Sequence, residues 1–342
     1  MRRITRPLAG LAMLLAPLAA LFLGGGTALA ATCNPAGTTG LTAAVIASSA
    51  QYITGTIDAT GCDIGIYVGP SGAGTIISFA NVSNANVHGI FIQDTSNVQV
   101  RFSTVSNNDV GGTAPYPESK AIQAEGSRNV VIVSNIVTNN GDGGIAITDD
   151  GPFNPGAPNS GSLRPGYGNV VAYNFVRYNG RGCGIVFSAY NPGGGVSGNL
   201  ADHNTVMNNS AGIVDAADAP NTTATNNSVT NNTSAYNGYA GIIVHSNAPS
   251  DFVSNTLVQN NLVHDNGGRM QNTGVQTQSA PPPGSFGIIV SAPGGYGTIL
   301  MTYVSVNQIS NEYTGIGHSD DVLTIIAGNG YSNVVIPVGF GV

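Results

Sequence analysis

Basic side chains are scarce in this chain. Of ten lysines and arginines, Arg2, Arg3 and Arg6 fall within the first thirty residues, leaving 7 basic against 17 acidic residues, a net of −10. So acidic a chain lacks the cationic face that nucleic acid or an anionic membrane would need. It would also repel an acidic polysaccharide unless a bound cation or a local basic patch intervened. Past residue 30 no apolar run approaches the twenty or so residues that span a bilayer. The three cysteines, Cys33, Cys62 and Cys183, do not have the spacing of a metal site, and no grouping of Met, His or Cys suits a soft metal. Nor does any stretch beyond residue 60 show a helical period.

What is present begins with a leader. MRRITR is basic, LAGLAMLLAPLAALFL apolar and TALA small-residued, so residues 1–30 read as a secretory signal and the remainder as exported and soluble. Export permits disulfides, and Cys33–Cys62 is the expected bridge, with Cys183 a buried thiol before an apolar strand.

Two short patterns then alternate. One is Asn-x-Val/Ile closed by a second Asn: NIVTNN (135–140), NFVRYN (174–179), NTVMNN (204–209), NSVTNN (227–232) and NLVHDN (261–266). The other is Gly-Ile-x-apolar: GIYV (65–68), GIFI (89–92), GIAI (144–147), GIVF (184–187), GIIV (241–244) and GIIV (287–290). A third short segment, such as NVVIV (129–133), lies between them. Each unit therefore predicts three strands with one buried face, the period-two signature. Stacked unit on unit, about 4.8 Å apart, the asparagines fall into register, each amide bonding the next and satisfying polar groups inside a tight turn. Asn also tolerates the left-handed backbone of such turns.

This repeat resembles the pectin-lyase-like superfamily of right-handed parallel β-helix proteins. The resemblance implies an all-β solenoid of nine to ten coils over residues 55–342, with an Asn ladder and an N-terminal cap segment at 31–54. It covers nearly the whole mature chain but is silent on activity, because that superfamily holds lyases, hydrolases and epimerases as well as tailspikes and surface proteins. The aspartates with Gly-His-Gly and Arg-Ile-Lys of polygalacturonases, the Trp-Ile-Asp-His of calcium pectate lyases and the Gly-Gly-x-Gly-x-Asp of β-rolls are all missing. In enzymes of the superfamily the groove follows the strand corresponding to Gly-Ile, walled by long turns.

Long insertions at 109–120, 149–168 and 266–285 stretch three units of this chain, and such insertions are commonly functional or disordered. Registering the Gly-Ile strands gathers Asp94, Glu125, Asp149 and the adjacent Asp150 on successive coils. Carboxylates so stacked raise one another's pKa or hold a hard cation, with Asp94, Glu125 and Asp149 as the Ca²⁺ ligands. Lys120, the only lysine, or Arg181 would serve as general base or neutralise a substrate carboxylate, joining Glu125, Asp149 and Asp150 as candidate catalytic groups. Asp94, Tyr116, Tyr167 and Tyr190 would contact substrate, the tyrosines by stacking on sugar rings. The competing reading is local: turn aspartates bond backbone amides, and Lys120 pairs with Glu125 at the surface.

Two functions follow. One is a secreted carbohydrate-active protein, a polysaccharide lyase or glycoside hydrolase working along the Gly-Ile strands on an extracellular polysaccharide. The other is a non-catalytic secreted or cell-surface structural or adhesion protein, which the low charge and the lack of Trp suit. The residue between the buried positions of each Gly-Ile strand, from Phe91 and Gln123 to Ile243 and Ile289, is expected to face outward. An apolar stripe of that kind meets another surface: either the inserted turns fold over it, or another copy of the chain packs there as a homo-oligomer.

Overall fold

The computed structural model describes residues 32–37, 39–109, 119–151, 162–267, 284–293, 297–319 and 323–341. Among the described residues the strands form one parallel stack, apart from the antiparallel strand pair in which Asn34–Pro35 lies on Thr42–Ala47. The Gly-Ile strands pair in the expected register. Ile66, Ile90, Ile122, Ile145, Ile185, Ile213, Ile242, Ile288 and Ile316 make one continuous buried column. Flanking columns of Val and Ala, among them Val100–Ile132–Val171–Ala201–Val229–Val258, close the lumen on its other sides.

Three details differ from the sequence expectation. The middle coils carry four strands rather than three: Cys183–Ala189 is followed by Gly195–Ser197, Leu200–Asp202 and Thr205–Met207. A three-residue strand offers one inward side chain (Val196, Ala201, Val206), too few for periodicity to announce it. The segment expected as a cap supplies strand Thr42–Ala47, which pairs with Ile64–Val68 inside the Gly-Ile sheet. The Cys33–Cys62 disulfide forms as expected and ties the chain entry to the first coils, while Cys183 is half-buried rather than buried.

The outward apolar stripe is not exposed. Phe91, Gln123, Ala146, Val186, Val214, Ile243 and Ile289 are all buried, none beyond 8% exposure. The five from Ala146 to Ile289 pack into a cluster of their own with Ala211, Ala240 and the partly buried Cys183 and Phe286. These side chains form a cluster separate from the lumen core and are covered within the chain itself.

Among the described residues the buried asparagines make three ladders instead of one. The longest runs Asn135–Asn174–Asn204–Asn232–Asn261–Asn307–Asn329, each residue donating both its backbone N–H and its Nδ2 to the next Oδ1 at 2.9–3.1 Å. A second starts at Asn108 and passes through Asn140, Asn179, Asn209, Asn237 and Asn266. A third joins Asn169, Asn199 and Asn227. Because every rung donates in one direction, the last position needs only an acceptor, and in the second and third ladders a carboxyl group fills it. Glu312 Oε1 accepts from Asn266 N and Nδ2 at 2.8 and 2.9 Å, and Asp215 Oδ1 accepts from Asn227 Nδ2 at 2.7 Å.

Burial pushes Glu312 up to about 8 against the bonds from Asn266. An acid with a raised folded pKa holds its proton better when folded. Glu312 therefore subtracts stability as pH rises from its ordinary 4.5 to about 8. Glu312→Gln keeps the acceptor and removes the charge, so the fall in urea midpoint between about pH 5 and about pH 8 is expected to flatten.

Candidate functional site

The Gly-Ile strands end in turns on the same side of every coil, and there the structure gathers polar groups. Gln93 and Glu125 pair in register, with Thr148 next in the column. Glu125 is fully buried; its Oε2 accepts from Gln123 Nε2 at 2.9 Å. Gln93 Nε2 stands between Glu125 Oε1 at 3.5 Å and Asp150 Oδ2 at 3.3 Å, while Gln93 Oε1 accepts from Tyr67 OH at 3.2 Å. One residue beyond the strand, Asp94 adopts φ +53°, and its Oδ2 lies 3.2 Å from Arg164 Nε.

Asp94, Glu125 and Asp150 thus form one carboxyl group cluster across three coils. Burial, then the charge of Asp150, pushes Asp94 up to about 7 against the pull of Arg164. The same two causes raise Glu125 well above the usual carboxylate range. Tyr67 is pushed up to about 12, first by burial and then by the three acids. Near neutral pH the cluster therefore holds protons that isolated carboxyls would have lost.

Asp94 opens from this cluster into a pocket of about 250 Å³. Arg128, Arg164, Tyr167 and Gly126 line it too. Ser96, Arg128 and Tyr167 stack on consecutive coils as isolated bridges, and Arg128 Nη1 donates to Tyr167 OH at 3.1 Å. Arg164 arrives by a different route: its backbone pairs antiparallel with Asp150 across the 151–163 insertion. Gly126, φ +55°, makes the packing feasible, because a Cβ there would meet Asp94 Oδ1 at 2.6 Å and Asp150 Cβ at 2.7 Å. Gly126→Ala is expected to cost about 2 kcal/mol through left-handed strain and overpacking. A lowered urea midpoint together with weaker ligand uptake by the pocket would register it.

The expected residues separate into groups. Asp94, Glu125, Asp150 and Tyr167 come together. Asp149 is buried, and its carboxylate accepts from the backbone N–H groups of Tyr190 at 2.7 Å and Asn191 at 3.1 Å. Burial pushes it up to about 7 despite those bonds. It pins the turn of the next coil, the local role open to turn aspartates, and Tyr190 is held by that bond. Lys120 does not pair with Glu125: it is buried at the opposite end of the same strand, its Nζ 4.0 Å from Asp142 Oδ2. Five extended residues, about 16 Å, keep it from the carboxyl cluster. Arg181, exposed before Cys183–Ala189, stands at that same far end. Tyr116 lies outside the described residues. Among the described residues no group of three or more His, Cys, Asp or Glu has the arrangement of a metal site, and the Asp94–Glu125–Asp149 calcium set does not assemble.

Arg128 and Arg164 were not among the expected residues. Extending the register three positions past Gln93 and Glu125 reaches Ser96 and Arg128, so one arginine had a signal. Arg164 had none, because only closure of an insertion brings it beside Asp94.

Comparison with known proteins agrees with the architecture. The sequence profile of the right handed beta helix region matches residues 43–229. No curated protein sequence matches the chain. Among solved structures, PfbA, a surface adhesin of Streptococcus pneumoniae, superposes with a TM-score of 0.58 at 14% identity, over 90% of this chain and 73% of that one. An exopolygalacturonase of Thermotoga maritima matches at 14% identity and TM-score 0.37, covering 80% of this chain and 54% of its own. The A-module of a mannuronan C-5 epimerase of Azotobacter vinelandii matches at 17% identity and TM-score 0.37, over 86% and 88%. The likeness at these identities is one of fold. With over half its length matched by that profile, and with its coils and ladders in the order described, the chain belongs to the right-handed parallel β-helix family.

Proposed function

We propose that this protein is an exported carbohydrate-active β-helix protein that takes a uronate residue of an acidic polysaccharide into the Asp94 pocket and cleaves the chain by β-elimination. The observation that carries the reading is the meeting of two guanidinium groups, a tyrosine hydroxyl and a carboxyl group poised near neutrality in one pocket. An acidic chain needs a local basic patch to accept an acidic sugar, and Arg128 and Arg164 supply one.

The chemistry divides among these groups. Arg128 and Arg164 would hold the uronate carboxylate and, by neutralising it, acidify the adjacent C5–H. Asp94, ionised, would take the C5 proton; a base with a pKa near the working pH is well matched to that task. The C5–H electrons would form the C4–C5 double bond as the C4–O bond breaks, and Tyr167 O–H would protonate the departing oxygen. A hydrolase reading has less support. Glycosidase carboxyls flank the scissile bond with space for the sugar or a water between them, whereas Gln93 Nε2 fills the space between Glu125 and Asp150.

Export is part of this reading: the Cys33–Cys62 bridge suits an oxidising compartment. Among the described residues no helix is long and apolar enough to cross a membrane. The test is incubation of the purified protein with polyuronates of differing composition, following ultraviolet absorbance of unsaturated product. New reducing ends without that absorbance would overturn elimination. Binding with neither signal would favour the non-catalytic adhesion reading.

A further inference from the structure

A second line of unusual residues runs along another corner of the solenoid, where successive coils turn between their short strands. Phe79, Phe102, Ser134, Tyr173 and His203 occupy this corner one above another, linked coil to coil through backbone hydrogen bonds and the neighbouring strand register. All five have left-handed backbones, with φ between +50° and +56°. Later coils place Asn231 and Asn260 there, residues for which that conformation is comfortable. A bulky aromatic in that region is strained, and strain of this kind collects at functional positions.

These rings bury little in return. Phe79 is 65% exposed, Phe102 51% and Tyr173 58%. Phe79 stacks on Phe102 at 5.3 Å between centroids, and Tyr173 on His203 at 4.9 Å. Beside them are groups able to meet hydroxyls: Asp202 bonds His203 Nδ1, Thr230 and Asn231, and Arg101 Nη1 donates to Gln99.

We infer that this corner is a track for a neutral polysaccharide chain lying along the solenoid axis, separate from the Asp94 pocket. The partner's chemistry follows from the shape and charge of the track. The track is a single row of side chains, one per coil, with three exposed rings, far short of the roughly 800 Å² per partner of a stable protein interface. A single linear polymer needs only that width, and two stacked aromatic pairs along the axis, one on either side of Ser134, suit a ligand made of repeating rings. Single-stranded nucleic acid also stacks on aromatic rows, but it requires a cationic groove, and the chain's net charge of −10 past residue 30 opposes it. Sugar rings offer apolar C–H faces to the aromatics and hydroxyls to Asp202, Asn231 and His203.

The test is electrophoresis of the native protein through gels containing hydroxyethylcellulose, xyloglucan or mixed-linkage β-glucan. At least one polymer is expected to retard the natural chain. The triple variant Phe79→Asn, Phe102→Asn, Tyr173→Asn should bind that polymer at least tenfold more weakly. Asparagine relieves the left-handed strain, so the variant's Tm should hold or rise, which a purely structural aromatic stack would not allow. Asp94→Asn should be retarded like the natural chain, separating this track from the pocket. The inference falls if none of the three polymers retards the protein, if the triple variant is retarded equally, or if sedimentation shows the rings instead joining two copies.

Discussion

Asp94→Asn is expected to lower cleavage of an acidic polysaccharide about a thousandfold, within the range for loss of a general base. Asparagine keeps the shape and the contact with Arg164 but cannot accept the C5 proton. In the natural chain, activity should rise with pH through a limb near 7, because the base must be ionised and burial beside Asp150 holds Asp94 at about 7. Folding should not suffer. Raising the folded pKa of an acid from 3.8 to about 7 means that ionising it costs stability over that window. At about pH 8 the neutral Asn should therefore be no less stable than Asp. Full activity in this variant, or a pH limb unmoved in Arg164→Gln, would remove Asp94 from the reaction. Loss of Arg164 removes the opposing charge, so that limb should shift upward.

For stability, the largest single effect is expected from Asn174→Ala. Asn174 Oδ1 accepts from both Asn135 N and Asn135 Nδ2 at 3.0 Å, and its own Nδ2 donates to Ile132 O at 2.9 Å and Asn204 Oδ1 at 3.0 Å. Alanine leaves buried donors and acceptors above and below it short of partners, at about 1–3 kcal/mol each, so a total near 4 kcal/mol is expected. Asn139→Ala provides the contrast. Asn139 is exposed with φ +57°, outside the ladders. Replacing it should cost only about 1 kcal/mol of left-handed preference. Urea midpoints for the two variants would decide the matter: equal shifts would mean that the ladders contribute little beyond backbone conformation.

The two asparagines of NIVTNN at 139 and 140 show how much was legible in the motif and how much was not. Both were visible as turn residues. That Asn140 is a ladder rung bonded to Asn108 and Asn179, while its neighbour merely adopts the left-handed turn, depends on which side chain points inward at the corner. Likewise, GIVD at 212–215 follows the Gly-Ile pattern only loosely, with an acid at its second apolar position. In the fold its Asp215 sits in the lumen column between Phe187 and Val244, ending a ladder and bonded to Thr256 Oγ1 at 2.7 Å. Burial raises its pKa to about 6.

The chain's own letters determined the repeat, the register of the Gly-Ile strands and the approach of Asp94 to Glu125, because in a parallel stack each coil repeats the geometry of the last at a fixed spacing. The tertiary structure alone decided that Asp150 rather than Asp149 completes the carboxyl cluster, that Lys120 and Arg181 stand at the far end of the strands, and that Arg164 joins the pocket. Those outcomes turn on how side chains rotate at a turn and how an insertion closes back on its coil, and spacing along a sequence carries no record of either.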